Sequence, residues 1–217
     1  MGGFLLEEVQ ATFGRVVALE VDRLEIPGGG VSVLLGPNGS GKTTMLRLMA
    51  GLHPPARGRV SYAGALVSYG RAGLAHRRRV TLLAQDPFLF RGKVLANVAY
   101  GPKARGGVNG EAERAARAAM AAAGCDHLAA RGAASLSGGE RKRVALARSL
   151  ATGAETLLLD EPEAGLDEEH SGRLRETIVR LAASGKTIVL STHHADWIDS
   201  VADRRLRLAY GRIVPSG

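Results

Sequence analysis

One short stretch of this sequence combines glycines, a lysine and hydroxyl side chains at a spacing that suits phosphate binding. It fits the pattern G-x-x-x-x-G-K-[ST] and reads Gly36-Pro37-Asn38-Gly39-Ser40-Gly41-Lys42-Thr43-Thr44. Gly39 and Gly41 lack a Cβ atom, which lets backbone N–H groups turn towards an anion. Lys42 can place a positive charge beside the β- and γ-phosphates, and the Thr43 hydroxyl can ligate Mg²⁺. The stretch therefore predicts a site for a nucleotide phosphate chain.

The flanking residues supply the elements that such a loop needs. The apolar run 31–35 predicts a buried strand before the loop, and residues 44–50 predict a helix after it. A helix that begins at Lys42 points the positive end of its dipole at the bound anion. A glycine-rich turn with a surface lysine is the alternative, and the flanking strand and helix argue against it.

Two adjacent carboxylates follow a second apolar run. Asp160 and Glu161 come directly after residues 156–159, which predict a strand buried on both faces. Because ligands of open α/β sheets bind at the carboxyl ends of the strands, both acids can reach a metal held by the phosphate loop. Asp160 suits the outer shell of the metal, and Glu161 suits a base that activates water.

A second candidate anion site precedes another helix. Leu136-Ser137-Gly138-Gly139-Glu140 places two glycines at the start of a helix predicted over 138–151, and Ser137 with Glu140 forms an S-x-x-E capping box. By its chemistry alone this is an ordinary helix cap. Two phosphate cradles in one chain also suggest that the second binds a nucleotide held by another copy.

The secondary-structure pattern divides the chain into three parts. Residues 4–26 predict a hairpin around Gly14, and the runs 59–62 and 80–84 predict further strands. Strand signals disappear over 86–150, where residues 111–123 predict an alanine-rich helix. After residue 151 the sequence alternates again, with a helix predicted over 167–183, a strand over 187–190 and a final hairpin over 205–214.

Composition narrows the class of protein. The net charge of +8 suits a polyanionic ligand, an acidic lipid surface or nucleic acid. The single cysteine, Cys125, excludes an internal disulfide and is expected to be a packing residue in a reducing cytosol. No apolar run approaches the ~18 residues of a membrane span, so we expect any membrane role to come through a partner.

Together these motifs resemble the nucleotide-binding subunit of an ATP-binding cassette (ABC) transporter over nearly the whole chain. Residues 36–44 match Walker A, 156–161 match Walker B, and 136–140 resemble the LSGGQ signature. Gln85 resembles the Q-loop glutamine, and Ala164-Gly165-Leu166-Asp167 resembles the D-loop. His193 resembles the H-loop histidine, and Phe13 the A-loop aromatic.

The resemblance implies a fold. It is an α/β P-loop NTPase (RecA-like) core with an N-terminal antiparallel β subdomain and an inserted α-helical subdomain. The whole chain, 1–217, would be one ABC ATPase domain, with 1–85 and 151–217 as the catalytic core and 86–150 as the helical subdomain.

It also implies the site and its ligands, ATP and Mg²⁺. The implied catalytic residues are Glu161, His193 and Gln85, and the implied metal-binding residues are Thr43, Gln85 and Asp160. The implied nucleotide contacts are Phe13, Gly36, Pro37, Asn38, Gly39, Ser40, Gly41, Lys42, Thr43, Thr44, Ser137, Gly138, Gly139, Glu140 and Asp167.

Three positions depart from the family pattern. Glu140 replaces the signature glutamine and adds negative charge near the phosphates. Glu163 replaces a small hydroxyl residue before the D-loop, and Phe13 replaces the usual tyrosine while keeping the π face needed for stacking.

The resemblance implies partners as well. We expect a head-to-tail dimer with a second ATP-binding subunit, identical or paralogous, that sandwiches two ATP molecules. We also expect integral membrane permease subunits and a solute-binding protein, no nucleic acid, and a cytoplasmic location at the inner face of the cell membrane. Residues 88–90 are predicted to line the groove that receives the permease's coupling helix.

The separate, compact chain favours an importer over an exporter. Residues 88–90 together with 97–101 are similar to tungstate or molybdate importers, and 97–102 are also similar to metal- and vitamin-importing subunits. A soluble ABC protein that switches on nucleic acid or the ribosome is the alternative from another class. The basic charge permits it, but the long coiled coil or second cassette usual in such proteins is missing.

Overall fold

The computed structural model describes residues 2–194 and 199–215, which form two compact units. The first unit comprises Met1–Leu82, Glu155–Glu161 and Ile178–Gly217, and the second comprises Leu83–Ala154 and Pro162–Thr177.

Two sheets organise the first unit. The N-terminal sheet has the order β2-β1-β4-β5 and is antiparallel, with β1 at Phe4–Phe13, β2 at Val16–Ile26, β4 at Arg57–Tyr62 and β5 at Ala65–Leu66. The hairpin expected around Gly14 is therefore confirmed. Its strands alternate between buried and exposed residues, as a sheet with one solvated face requires.

The second sheet contains the strands that end at the predicted site. Its order is β10-β9-β3-β8-β7-β6, formed by β3 at Gly30–Leu35, β6 at Val80–Leu83, β7 at Thr156–Asp160, β8 at Thr187–Thr192, β9 at Arg204–Ala209 and β10 at Arg212–Val214. The strands β9, β3, β8 and β7 are mutually parallel. The strands β7 and β8 are buried along their whole length, which explains why both appear as continuous apolar runs.

Helices α1, at Lys42–Met49, and α2, at Leu74–Arg79, belong to the first unit, with a 3₁₀ turn at Gly70–Gly73. The apolar face of α1 joins one hydrophobic core with the N-terminal sheet and the parallel strands. Met45, Leu46, Leu48 and Met49 are fully buried there. This packing fixes the position of the N-terminus of α1, and hence the position of Lys42, its first residue.

The second unit is helical, as the loss of strand signals after residue 86 predicts. It contains α3 at Val94–Ala104, α4 at Asn109–Ala122 and α5 at Gly138–Ala151, with 3₁₀ turns at Asp126–Leu128 and Ala133–Ser135. Helix α6, at Glu168–Ala183, begins in this unit and ends in the first. Cys125, the single cysteine of the sequence, is fully buried in the second unit. Burial raises the pKa of its thiol to about 12 and makes it a packing residue.

Helix α3 has no clear helical signal in the sequence. Asn97, Gly101 and Pro102 interrupt its helical pattern, and Pro102 lies inside its last turn. Within the described residues, no helix has the length and apolar character needed to cross a bilayer.

Candidate functional site

The glycine-rich loop connects β3 to α1, as the sequence predicts, and its backbone leaves no room for side chains at two glycines. Gly36 and Gly41 both have positive φ angles, 152° and 102°. A Cβ atom on Gly36 would lie 2.2 Å from the Leu208 carbonyl oxygen, and one on Gly41 would lie 2.8 Å from that of Ala18. Only glycine therefore allows the loop to wrap closely between these strands.

Lys42, the first residue of α1, is folded over this loop. Its ammonium group donates hydrogen bonds to the carbonyl oxygens of Gly36, at 2.7 Å, and Pro37, at 3.1 Å. Its Nζ atom also lies 3.8 Å from Oε1 of Glu161, and both side chains are almost completely buried. The positive charge of Lys42 therefore lies where the loop closes. Because the side chain is buried, solvent screens this charge only weakly.

Asp160 joins the end of β7 to the phosphate loop. Its Oδ2 atom accepts a 2.8 Å hydrogen bond from the Thr43 hydroxyl, and its Oδ1 atom accepts a 2.6 Å bond from the Ser191 hydroxyl. The carboxylate is buried, so both oxygens are held by neutral donors rather than by water.

Glu161, the next residue, has an unusual backbone. Its φ angle is 45°, in the left-handed region that non-glycine residues rarely adopt. Its Oε1 atom lies 3.4 Å from Nδ1 of His193, in addition to the contact with Lys42. The structure therefore brings Lys42 and His193 together around the Glu161 carboxylate. Strained backbone of this kind is typical of functional sites.

The residues present fit a nucleotide with Mg²⁺. Thr43 and Asp160 place two oxygen atoms side by side, the ligand type that Mg²⁺ prefers. Among the described residues there is no cluster of three acidic, histidine or cysteine side chains that could hold a metal alone. Mg²⁺ characteristically combines one or two protein ligands with phosphate oxygens, so this sparse donor set suits it. Ser40 Oγ is buried in the same loop without a hydrogen-bond partner, an orphaned polar atom in the cradle.

Phe13 lies at the tip of the first hairpin with 45% of its surface exposed. Its ring stacks on the imidazole of His53, with centroids 4.8 Å apart and planes inclined by 18°. Stacking on His53 restrains the phenyl ring. Because the ring is also partly exposed, an adenine base can stack on it.

The signature-like stretch belongs to the second unit, where α5 begins at Gly138 as predicted. Ser137 and Glu140 form a complete capping box, with each side chain accepting from the other residue's backbone N–H. The second carboxylate oxygen of Glu140 accepts a 2.7 Å hydrogen bond from Arg131. The backbone N–H of Ser137 and, to a lesser degree, Arg131 lower the pKa of Glu140. The negative charge that Glu140 adds is therefore paired with Arg131 and held by the capping box.

Two other predicted residues also lie in the second unit. Gln85 follows β6 in an exposed bend. Asp167 caps α6, since its Oδ1 atom accepts a 2.9 Å hydrogen bond from the His170 N–H, which lowers the Asp167 pKa. The Asp167 N-cap expected from the sequence is confirmed.

Sequence reasoning missed three residues that contact these side chains. They are Ser191, His53 and Arg131. Ser191 had a detectable signal, because a serine interrupts the apolar strand next to the one that ends in Asp160. Neither His53 nor Arg131 has a pattern of its own that points to Phe13 or Glu140.

Comparison with known proteins places this geometry in context. A family described as ABC transporter matches residues 19–164. The cobalt import ATP-binding protein of Rhodobacter capsulatus is 39% identical over 94% of this chain and 74% of its own length. The tungstate uptake ATP-binding protein of Peptoclostridium acidaminophilum is 34% identical over 96% and 95%. Other relatives are longer: the chain spans 62% of the Fe(3+) import protein of Pseudomonas fluorescens.

Solved structures agree with the fold. The ATP-binding cassette MJ0796, described as a dimer bound to ADP and inorganic phosphate, has a TM-score of 0.90 and 26% identity over 98% of this chain and 97% of its own. The protein cbiO1 of Clostridium perfringens, described as part of the ABC transporter complex cbiONQ, has a TM-score of 0.86 and 29% identity over 99% of this chain and 87% of its own.

Proposed function

The chain belongs to the ABC transporter family, and we propose that it is the ATP-hydrolysing subunit that drives solute import through separate membrane subunits. One observation carries the site assignment. The Thr43 hydroxyl of the phosphate loop is hydrogen-bonded to Asp160 at the end of β7, so that loop and carboxylates form one site. The same arrangement binds nucleotide phosphates in P-loop enzymes generally.

Each residue of the site has a role in this proposal. Lys42 and the loop N–H groups bind the β- and γ-phosphates, and Glu161 accepts a proton from the attacking water. His193, which already contacts Glu161, stabilises the charge that develops on the γ-phosphate. Thr43 and Asp160 would hold Mg²⁺, which when bound would neutralise charge on the phosphate oxygens.

We further propose that two copies close head to tail over two nucleotides. The capped start of α5 carries two glycines whose backbone N–H groups suit a phosphate bound by the other copy. Glu140, whose carboxylate is paired with Arg131, is compatible with that contact. The dimeric state described for MJ0796 supports the association of two copies.

An exposed aromatic cluster supports docking to a membrane subunit. Phe88 and Phe90 contact edge to face at 5.7 Å, and Phe90 packs at 4.8 Å against Tyr100. The buried Asn97 side chain bonds both the N–H and the carbonyl of Phe90, which holds this loop in place. Phe88 is 72% exposed, an uncommon position for such a ring unless a partner covers it. In this proposal the protein lies at the inner face of the cell membrane, bound to its permease.

The cargo proposed is an inorganic ion. The relatives reported above are named for import of cobalt, tungstate and Fe(3+). Among them, the tungstate relative is named for an oxyanion, the cargo type to which residues 88–90 and 97–101 point. A solute-binding protein would deliver that ion to the permease.

The deciding experiment measures phosphate release from ATP by the purified chain, with and without Mg²⁺. We expect Mg²⁺-dependent hydrolysis that Lys42→Ala abolishes and that Lys103→Ala, which removes an exposed lysine of α3, leaves unchanged. Wild-type protein that binds no ATP with Mg²⁺ would refute the proposal.

Partner binding needs a separate test. Phe88→Ala should weaken co-purification with the permease encoded nearby, whereas Leu52→Ala, at another exposed apolar residue, should not. Unchanged assembly of Phe88→Ala would remove the docking proposal. A salt-sensitive complex with RNA or DNA in place of the permease would favour the nucleic-acid switch instead.

A further inference from the structure

Ser191 is a polar residue of a fully buried strand, directly after that strand's apolar stretch. It precedes the last residue of β8, follows Ile188-Val189-Leu190, and is fully inaccessible to solvent. Because β7 and β8 are parallel, Ser191 lies directly beside Asp160 in the sheet register. A hydroxyl at this depth is costly unless it is hydrogen-bonded.

Its hydroxyl group bonds to both acidic residues of the site. Ser191 Oγ donates to Oδ1 of Asp160 at 2.6 Å and accepts the backbone N–H of Glu161 at 3.0 Å. The same N–H also points at the Ser191 carbonyl oxygen, 3.1 Å away. One side chain therefore connects the Asp160 carboxylate to the Glu161 main chain.

The bond to Asp160 fixes the carboxylate plane. Thr43 holds one oxygen and Ser191 holds the other, so the carboxylate cannot rotate without breaking a buried hydrogen bond. Thr43 belongs to the loop that receives the nucleotide, and its hydroxyl is itself a candidate metal ligand. The bond from Ser191 is made within the sheet and does not depend on that loop.

The bond to the Glu161 N–H acts on a strained residue. A non-glycine residue at a φ of 45° persists only when its surroundings hold it there. The Ser191 hydroxyl and carbonyl both accept from the Glu161 N–H. The direction in which the Glu161 side chain leaves the strand therefore depends partly on Ser191.

We propose that Ser191 is a positioning residue for ATP hydrolysis, which orients Asp160 for Mg²⁺ and fixes the main chain of Glu161. This inference rests on the proposed function, because it assigns Ser191 a part in the same site. Residues that orient metal ligands from behind typically change metal affinity or activity by about 10- to 100-fold when they are removed.

The test compares Ser191→Ala, Ser191→Thr and Ser149→Ala. Ser149 is a matched control, since it is also buried but its hydroxyl bonds the Ala145 carbonyl within its own helix, α5. For each protein, the affinity for a fluorescent ATP analogue is measured in EDTA and during a Mg²⁺ titration. Hydrolysis is measured as kcat, as KM for ATP, and as the Mg²⁺ concentration that gives half-maximal rate.

We expect Ser191→Ala to bind the analogue normally in EDTA, to need about 10-fold more Mg²⁺, and to lose about 10- to 100-fold in kcat with little change in KM. Ser191→Thr, which keeps the hydroxyl, should recover most of the rate, and Ser149→Ala should resemble wild type. If Ser191→Ala is unstable, the comparison of Ser191→Thr with wild type still tests the proposal. The proposal demands that Ser191→Thr need no more Mg²⁺ than wild type.

Three results would overturn the inference. They are a wild-type Mg²⁺ requirement and kcat in Ser191→Ala, an equal loss in Ser149→Ala, or a failure of Ser191→Thr to restore a normal Mg²⁺ requirement. Failure of the proposed function would look different, since wild-type protein itself would neither bind nor hydrolyse ATP.

Discussion

The ammonium group of Lys42 lies 3.8 Å from the Glu161 carboxylate, and the two side chains are only 5% and 7% exposed. In this arrangement the cation meant for the phosphates is already paired with the proposed base. A triphosphate that enters the loop competes with Glu161 for Lys42. Nucleotide binding therefore changes the charges that surround Glu161 before this residue is needed as a base.

Removing either partner separates binding from chemistry. Lys42→Ala should lose both nucleotide affinity and hydrolysis, because the phosphates lose their buried cation. Glu161→Gln should still bind ATP but lose at least about 100-fold in rate, as expected when a general base is removed. It should accumulate as a closed dimer in ATP, which size-exclusion chromatography can detect. Wild-type turnover by Glu161→Gln would show that Glu161 is not the base.

The sequence was most informative where local chemistry determines structure. The loop 36–44, the capping box at Ser137 and Glu140, and the apolar strands before Asp160 and His193 all act through near neighbours in the chain. Their positions were predicted to within about two residues, which is the usual uncertainty of element boundaries.

The remainder depends on contacts between distant residues. Arg131 neutralises Glu140, His53 stacks on Phe13, and Ser191 bonds Asp160 across two parallel strands. Periodicity cannot reveal such pairs, since it reports which face of an element is buried and not what packs there. Helix α3 was missed for a local reason, because Gly101 and Pro102 hide its pattern.

The ion pair between Arg131 and Glu140 predicts how the signature variant behaves. Glu140→Gln should hydrolyse ATP within about threefold of wild type, because the carboxylate is already balanced and a glutamine oxygen can still accept from the Ser137 N–H. Arg131→Ala should slow ATP-dependent dimerisation and hydrolysis, because it leaves the negative charge uncompensated.

The double variant Arg131→Ala/Glu140→Gln provides the control. It should recover the activity that Arg131→Ala loses, because removing the charge also removes the need for its partner. If the double variant stays as slow as Arg131→Ala, the loss comes from another contact of Arg131, such as its 2.9 Å hydrogen bond to the Ser135 carbonyl.

The stacked pair Phe13 and His53 predicts an effect on base binding. Phe13→Ala should weaken ATP binding by about 2- to 13-fold, since an aromatic stack is worth about 0.5–1.5 kcal/mol. His53→Ala should cost less, because it removes only the restraint on the phenyl ring. Phe13→Tyr should retain full affinity. Isothermal titration with ATP would measure all three, and equal affinity of Phe13→Ala and wild type would remove Phe13 from the site.

His76 predicts a loss of stability in mild acid. Its Nε2 atom lies 2.7 Å from the Met49 carbonyl oxygen, and partial burial lowers its pKa below the ordinary value of 6.5. The folded state therefore binds fewer protons than the unfolded state between these two pKa values. The stabilisation is complete above about 6.5, where both states are neutral, and declines as the pH falls through that window.

Thermal unfolding of His76→Gln measures this contribution. The drop in Tm between pH 7.5 and 5.5 should be smaller in the variant than in wild type. His127→Gln, at an exposed histidine of the second unit, should retain the wild-type drop. An identical pH profile for His76→Gln and wild type would show that other groups account for acid sensitivity.

Gly211 predicts that the C-terminal hairpin supports the phosphate loop. Its N–H donates a 3.1 Å hydrogen bond to the Ser40 carbonyl, and its carbonyl accepts a 2.7 Å bond from the Glu20 N–H. A Cβ atom at Gly211 would lie 3.0 Å from the Ala18 carbonyl oxygen, in addition to the strain of a φ of 77°. Any shift of Gly211 therefore displaces the backbone of Ser40.

The matched control is Gly64→Ala, because Gly64 has a φ of 79° but no atom within 4 Å of its missing Cβ. Both alanine variants should lose about 1 kcal/mol of stability from backbone strain. Only Gly211→Ala should also weaken ATP binding, because only it moves the loop that holds the phosphates. If denaturant unfolding and nucleotide titration show the same behaviour in both variants, the hairpin does not position the loop.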